Sequence, residues 1–169
     1  MATATFNLTV NTEDFKIVVL CTAAIFLKYL LTLTIQGGKR FGGGTRPPED
    51  SALPFAKGIP QHFGLNPSTK DNPKIKAAIQ ADVRWQRIVG NDVENLPIGL
   101  LIMWVTLLTP STSNCCCHGL LAIGWTASRI MHTFFYASRI GLPRGLAYMG
   151  AVGCQIAMLY GSVSYVLAQ

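Results

Sequence analysis

Charge is what this sequence has least of. Only 13% of its 169 residues are charged, against about a quarter in a soluble domain. Half of the residues are hydrophobic. Acids are scarcest, 8 against 14 bases, which leaves a net charge of +6. A basic chain can signal nucleic acid. Here the cations sit in loops and helix ends of an apolar chain, so no nucleic-acid partner is expected. The first fourteen residues lack a basic segment, and the apolar run after them is long enough to stay in a membrane. A cleaved signal peptide is therefore not expected. No lipidation signal stands at either end, since Gly does not follow Met1 and the last residues are Val166-Leu167-Ala168-Gln169. The five cysteines form no disulfide framework. Cys115-Cys116-Cys117-His118 resembles a metal cluster only superficially. Consecutive residues cannot easily close a tetrahedron, and zinc spacing is absent. Interface packing or acylation is the reading there, and no metal is expected.

What is present is hydrophobic length. The expected class is all-α: an integral membrane four-helix bundle forming a single domain over 1–169. Spans are expected at about Phe15–Gln36, Ile79–Leu108, Cys115–Tyr136 and Leu146–Leu167. The apolar part of the second, Leu96–Leu108, is too short alone for the roughly 20 residues a bilayer requires, so the polar stretch before it completes the crossing or projects beyond it. Only helices can satisfy their own backbone in lipid without closing a barrel. A loop at about 37–75 holds Lys39, Arg40, Arg46, Lys57, Lys70 and Lys74, and the third loop holds Arg139 and Arg144. The second loop, Thr109–Asn114, carries no charge. The positive-inside rule then places loops one and three in the cytosol and both termini in the lumen. Asn7-Leu8-Thr9 would be a lumenal sequon, while Asn66-Pro67-Ser68 is excluded by its proline.

Polar residues inside such spans need partners or a wet cavity. At about 100° per residue, Arg84, Arg87, Asn91 and Glu94 fall within about 80° on the second helix. Arg129, His132 and Tyr136 fall within about 60° on the third, and Arg144, Tyr148 and Gln155 within about 40° on the fourth. Three narrow stripes favour a shared site over isolated ion pairs. Helix-end pairs such as Arg87 with Glu94, or Arg84 with Asp82 or Asp92, stay open as the structural alternative. Lys28 and Arg129 are expected to form structural ion pairs with carboxylates on the second helix. Several cations suit a ligand with carboxylates, and Glu94 beside Asn91 suits an ammonium group. A peptide or amino-acid conjugate has both features, and the apolar helix surfaces suit a lipophilic second substrate.

Four segments in order then resemble one family. Arg87-Ile88-Val89-Gly90-Asn91-Asp92-Val93-Glu94-Asn95-Leu96-Pro97 is similar to the second-helix motif of the MAPEG superfamily, the membrane-associated proteins in eicosanoid and glutathione metabolism. Arg129-Ile130-Met131-His132-Thr133-Phe134-Phe135-Tyr136 resembles the third-helix motif, and Pro143-Arg144-Gly145-Leu146-Ala147-Tyr148 the start of the fourth. Pro48-Glu49-Asp50 matches an element of the first loop. The likeness runs from Lys28 to Tyr160 and is nearest to the microsomal glutathione transferase and prostaglandin E synthase branches.

The resemblance implies a homotrimer with glutathione as co-substrate, bound between subunits near the cytosolic face. Arg87, Asn91, Glu94, His132, Tyr136 and Tyr148 would bind it, and Arg144 would be catalytic by favouring the thiolate. It implies an endoplasmic-reticulum enzyme that adds glutathione to lipophilic electrophiles, with peroxidase activity toward lipid hydroperoxides. The alternatives are a prostaglandin E synthase-like isomerase, a leukotriene C synthase-like enzyme, or a non-catalytic lipid-binding scaffold like the lipoxygenase-activating protein. That scaffold branch lacks the thiolate-stabilising arginine. The isomerase pattern has His-Arg where Val89-Gly90 stand here, and a serine where Gly145 stands. Both departures favour a general transferase or peroxidase.

Overall fold

The computed structural model describes residues 10–65, 72–109 and 118–167. The chain is all-α. Its long helices are α1 (Thr12–Gly43), α2 (Pro73–Leu107), α3 (His118–Ala137) and α4 (Gly141–Leu167), and no strand occurs among the described residues. α1, α2 and α4 are each long and apolar enough to cross a membrane. α3 has the 20 residues of a span, but Arg129 and two histidines dilute its apolar run. Arg129 and His132 are buried, at 1% and 5% exposure, as an intramembrane polar residue requires. Cys115–Cys117, Lys70 and the Asn7 sequon lie outside the described residues.

Three helices begin earlier than their apolar runs suggest, because caps set their ends. Asn11 Oδ1 accepts the N–H groups of Glu13 and Asp14, at 2.9 and 3.3 Å, and so starts α1 at Thr12. Asn72 Oδ1 accepts from Lys74 N–H at 3.0 Å. Pro73 follows it at the first helical position, where the missing N–H costs nothing. α4 begins at Gly141 because Pro143 lies in its first turn, where proline is tolerated. The expected loop at 37–75 is correspondingly shorter. α1 runs through Gly37 and Gly38 and stops at Gly43. There Gly44, at φ +65°, closes a Schellman motif. Thr45 N–H bonds Arg40 O at 3.1 Å and Gly44 N–H bonds Phe41 O at 3.3 Å. A Cβ on Gly44 would stand 2.9 Å from Pro60 O, so glycine is required twice over.

The chain divides into two compact units, Lys28–Val93 and Met1–Leu27 with Glu94–Gln169. In the first, Lys28 Nζ lies 2.5 Å from Asp92 Oδ2, with the side chains 9% and 1% exposed. Asp82, fully buried, accepts from Thr45 Oγ1 at 2.6 Å and Gln86 Nε2 at 3.0 Å. Both carboxylates thus serve α1 and the loop after it. That loop makes two short 3-10 turns, Pro48–Ala52 and Pro54–Ala56. Buried Gln61 organises it. Its amide nitrogen donates to Phe41 O and Ile59 O at 3.1 and 2.9 Å, and its oxygen accepts from Arg46 N–H at 3.3 Å.

In the second unit, small residues allow close approach. Gly99 faces buried Trp125 so tightly that a Cβ would stand 2.1 Å from its Cζ2. Asp14 Oδ1 accepts Gly119 N–H at 2.9 Å, satisfying a donor that the start of α3 would leave unbonded. Trp104 Nε1–H donates to Thr22 Oγ1 at 3.1 Å and meets Phe15 edge-on. α3 packs on α4, with Gly124 facing Cys154 and Gly150 facing Ser128. Hydroxyls along the helices bond back to carbonyls four residues earlier: Thr22 to Val18 and Thr106 to Ile102 here, Thr32 to Lys28 in the other unit. Such bonds satisfy a hydroxyl where no water is at hand.

Candidate active site at the α3–α4 turn

The connection between α3 and α4 is three residues long, Ser138–Ile140. It is a second Schellman closure. Ile140 N–H bonds Phe135 O at 3.0 Å and Arg139 N–H bonds Tyr136 O at 3.3 Å. Arg139 holds the left-handed position, at φ +65°, usually left to glycine. The tight turn sets the last turn of α3 beside the first of α4. His132 and Tyr136 come from α3 at i, i+4; Arg144 and Tyr148 come from α4 at the same spacing.

These four side chains form one cluster. The Arg144 guanidinium carbon lies 4.5 Å from the centroid of the Tyr136 ring, within cation–π range. The His132 ring centre is 5.8 Å from that of Tyr136, in T-shaped contact, and 6.2 Å from that of Tyr148. His132 is buried, Tyr136 and Arg144 are half-buried, and Tyr148 is partly exposed. Arg144 also stands in the first turn of a 27-residue helix. Unbonded N–H groups and the helix dipole there add partial positive charge. A guanidinium stays charged at any physiological pH. The cluster therefore offers a fixed cation, two phenols and an imidazole to an anion. On the same helix pair, a groove of about 370 Å³ is lined by Ala127, Ser128, Met131, Phe135, Pro143, Leu146 and Ala147. It is largely apolar.

The sequence profile of the MAPEG family matches residues 18–164. The chain belongs to the MAPEG family. No curated protein and no solved structure matches it. MAPEG membership supports a membrane role in glutathione-related transfer or isomerisation, or as an activating protein.

Of the residues expected at the site of this MAPEG protein, His132, Tyr136, Arg144 and Tyr148 are brought together. Arg87, Asn91 and Glu94 lie on α2, with Arg87 and Glu94 exposed and Asn91 half-buried. Arg87 and Asn91 belong to the Lys28–Val93 unit and Glu94 to the other. Gly90 and Gly145, the two departures from the isomerase pattern, both face open space: a Cβ at either meets nothing within 4 Å. Their lack of a side chain is not forced by packing. Sequence reasoning passed over Asp14 and Gly99, which hold α3 in place. The signal for both was local: an acid near a helix start, and a lone glycine in the apolar half of α2. Among the described residues, no three His, Cys, Asp or Glu side chains are grouped to hold a metal ion.

Proposed function

We propose that this MAPEG protein is a microsomal glutathione transferase acting on lipophilic electrophiles, with glutathione peroxidase activity toward lipid hydroperoxides. The observation that carries the reading is the Arg144 guanidinium against Tyr136, at the positive end of α4 and beside His132 and Tyr148. Glutathione suits this donor set. It presents two carboxylates and, on ionisation, a thiolate, and the cluster is built to receive an anion. Arg144 stabilises the thiolate, Tyr136 and Tyr148 donate to the bound tripeptide, and His132 positions both rings. Arg87 pairs with a glutathione carboxylate, while Asn91 and Glu94 receive its ammonium group. These α2 roles rest on the family motif.

A thiol ionises near pH 8.5 and its thiolate is the nucleophile. A cation beside the sulfur favours that form, so the proton leaves to solvent at a lower pH. In conjugation the thiolate sulfur forms a bond to an electrophilic carbon, and the electron pair released goes to the leaving group or to the adjacent conjugated carbonyl. In peroxidation the thiolate attacks one oxygen of the O–O bond, and the lipid alkoxide leaves and is protonated to the alcohol. A second glutathione converts the sulfenic acid to glutathione disulfide and water. The apolar groove on α3 and α4 supports a lipophilic partner. The wide apolar exposure of α4, at Leu146, Met149, Ile156, Val163 and Val166, is compatible with lipid and with the other subunits of a homotrimer. The cations of the first and third loops support an endoplasmic-reticulum protein with lumenal termini and a cytosol-facing site.

The test is conjugation of a chromogenic aromatic halide by the purified protein. The parent should turn over with glutathione, and Arg144→Ala should lower kcat/KM by about 10²-fold, the usual cost of one transition-state donor. A parent protein that neither conjugates the halide nor reduces a lipid hydroperoxide would overturn the enzyme reading.

A further inference from the structure

A second cavity, of about 530 Å³, lies in the Lys28–Val93 unit and is unrelated to the residues above. Its walls are the end of α1 and the loop that follows. Gly37 and Gly38 open one side, and a Cβ on either would meet nothing within 4 Å. Phe41 and Phe55, with ring centres 5.9 Å apart, give it an aromatic wall. Arg46 and Lys57 supply two cations. Arg46 is held in place. The Arg46 guanidinium stacks on Phe41 at 4.5 Å and is pinned by Asp50, Nε to Oδ2, at 2.5 Å. Lys57 sits at φ +50°, a left-handed backbone that lysine adopts only at a cost in energy. There it caps the second 3-10 turn, its N–H bonding Pro54 O at 3.3 Å.

The depth of the cavity decides what it meets. α1 has 32 residues, about 48 Å at about 1.5 Å per residue, whereas the hydrocarbon core is about 30 Å thick. Its apolar run ends near Gln36, so Gly37–Gly43 extend past the hydrocarbon to headgroup level. That stretch of chain carries Lys39 and Arg40 at the end of α1, and Arg46 and Lys57 in the loop, against Glu49 and Asp50. It also exposes Phe55, Phe63 and Leu65, the aromatic and aliphatic character of a segment resting in a membrane interface. Positive charge with apolar side chains at that level matches a lipid with an anionic head.

We propose that this cavity is a headgroup site for an anionic phospholipid of the leaflet that faces the first loop. The phosphate lies between Arg46 and Lys57, and the chains follow Phe41 and Phe55 toward the bilayer. The test is native mass spectrometry of the full chain in non-ionic detergent with equal phosphatidylserine and phosphatidylcholine. Phosphatidylserine should be retained preferentially. Lys57→Gln should weaken that preference about fivefold, the share of one interfacial cation. Gly38→Leu, which fills the opening without changing charge, should remove it, and both variants should elute as the parent does. Equal retention of the two lipids would overturn the site, as would an unchanged preference in both variants. Inorganic phosphate that displaces the lipid at equal concentration would also overturn it, by reducing the cavity to a free-anion site.

Discussion

Replacing Lys28 by methionine removes one charge from a pair that neither lipid nor water can replace. Lys28 and Asp92 are 2.5 Å apart, with the acid 1% and the lysine 9% exposed. At an effective dielectric of about 20, their attraction is about 7 kcal/mol before desolvation. Burying each ion costs several kcal/mol, so the intact pair contributes little net stability. Breaking the pair on one side is what costs. Lys28→Met takes the ammonium away from a buried carboxylate and should destabilise by about 3–5 kcal/mol. That is a fall in Tm on the order of 10 °C for a chain of this size. Asp92→Leu should cost a similar amount by removing the carboxylate that Lys28 meets. The double variant Lys28→Met, Asp92→Leu should recover most of the loss, because both polar groups leave together. The measurement is thermal unfolding of all four proteins in one detergent, analysed as a double-mutant cycle. Additive losses, with the double variant as unstable as the sum of the singles, would refute a buried pair whose members depend on each other.

Three further substitutions probe packing and specificity. Gly99→Ala should destabilise by at least about 1–3 kcal/mol, as over-packing does, because its Cβ would overlap Trp125. Gly145→Ala, which meets nothing, should unfold with the parent. Equal Tm values for both would refute the contact. Gly90→Arg places a cation in open space one residue before Asn91. It should tighten glutathione binding about tenfold by isothermal titration, the gain of one charge-assisted contact. Unchanged or weaker binding would place Gly90 away from the ligand.

Much of this was legible in the sequence, for physical reasons. The bilayer imposes length, so the helices could be placed from their apolar runs, even where polar residues interrupt the second and third. Their ends did not follow from hydropathy, because Asn11, Asn72 and Pro73 fix them by capping, and capping carries no apolar signal. The glycines from Gly37 read as a break. Yet α1 continues to Gly43, because Gly42 and Gly43 pack on Ala78 and Ile79 and tertiary contact outweighs propensity. The i, i+4 spacing of His132 with Tyr136 and of Arg144 with Tyr148 gave the stripes, and a three-residue turn joins them into a cluster. Which carboxylate Lys28 takes was not readable. Asp82, Asp92 and Glu94 are all within plausible reach in sequence, and only the rotation of α2 selects Asp92. The two cavities were also hidden, since both depend on where glycine and proline leave room.

The central claim is that Arg144 makes a bound thiol acidic. The direct measurement is a pH titration of the ultraviolet thiolate absorbance of glutathione bound to the purified protein. The parent should show ionisation at least about one unit below the ordinary value near 8.5, with Arg144→Ala returning it to that value. A bound thiol that titrates at its ordinary pH in the parent, or identically with and without Arg144, would contradict the account.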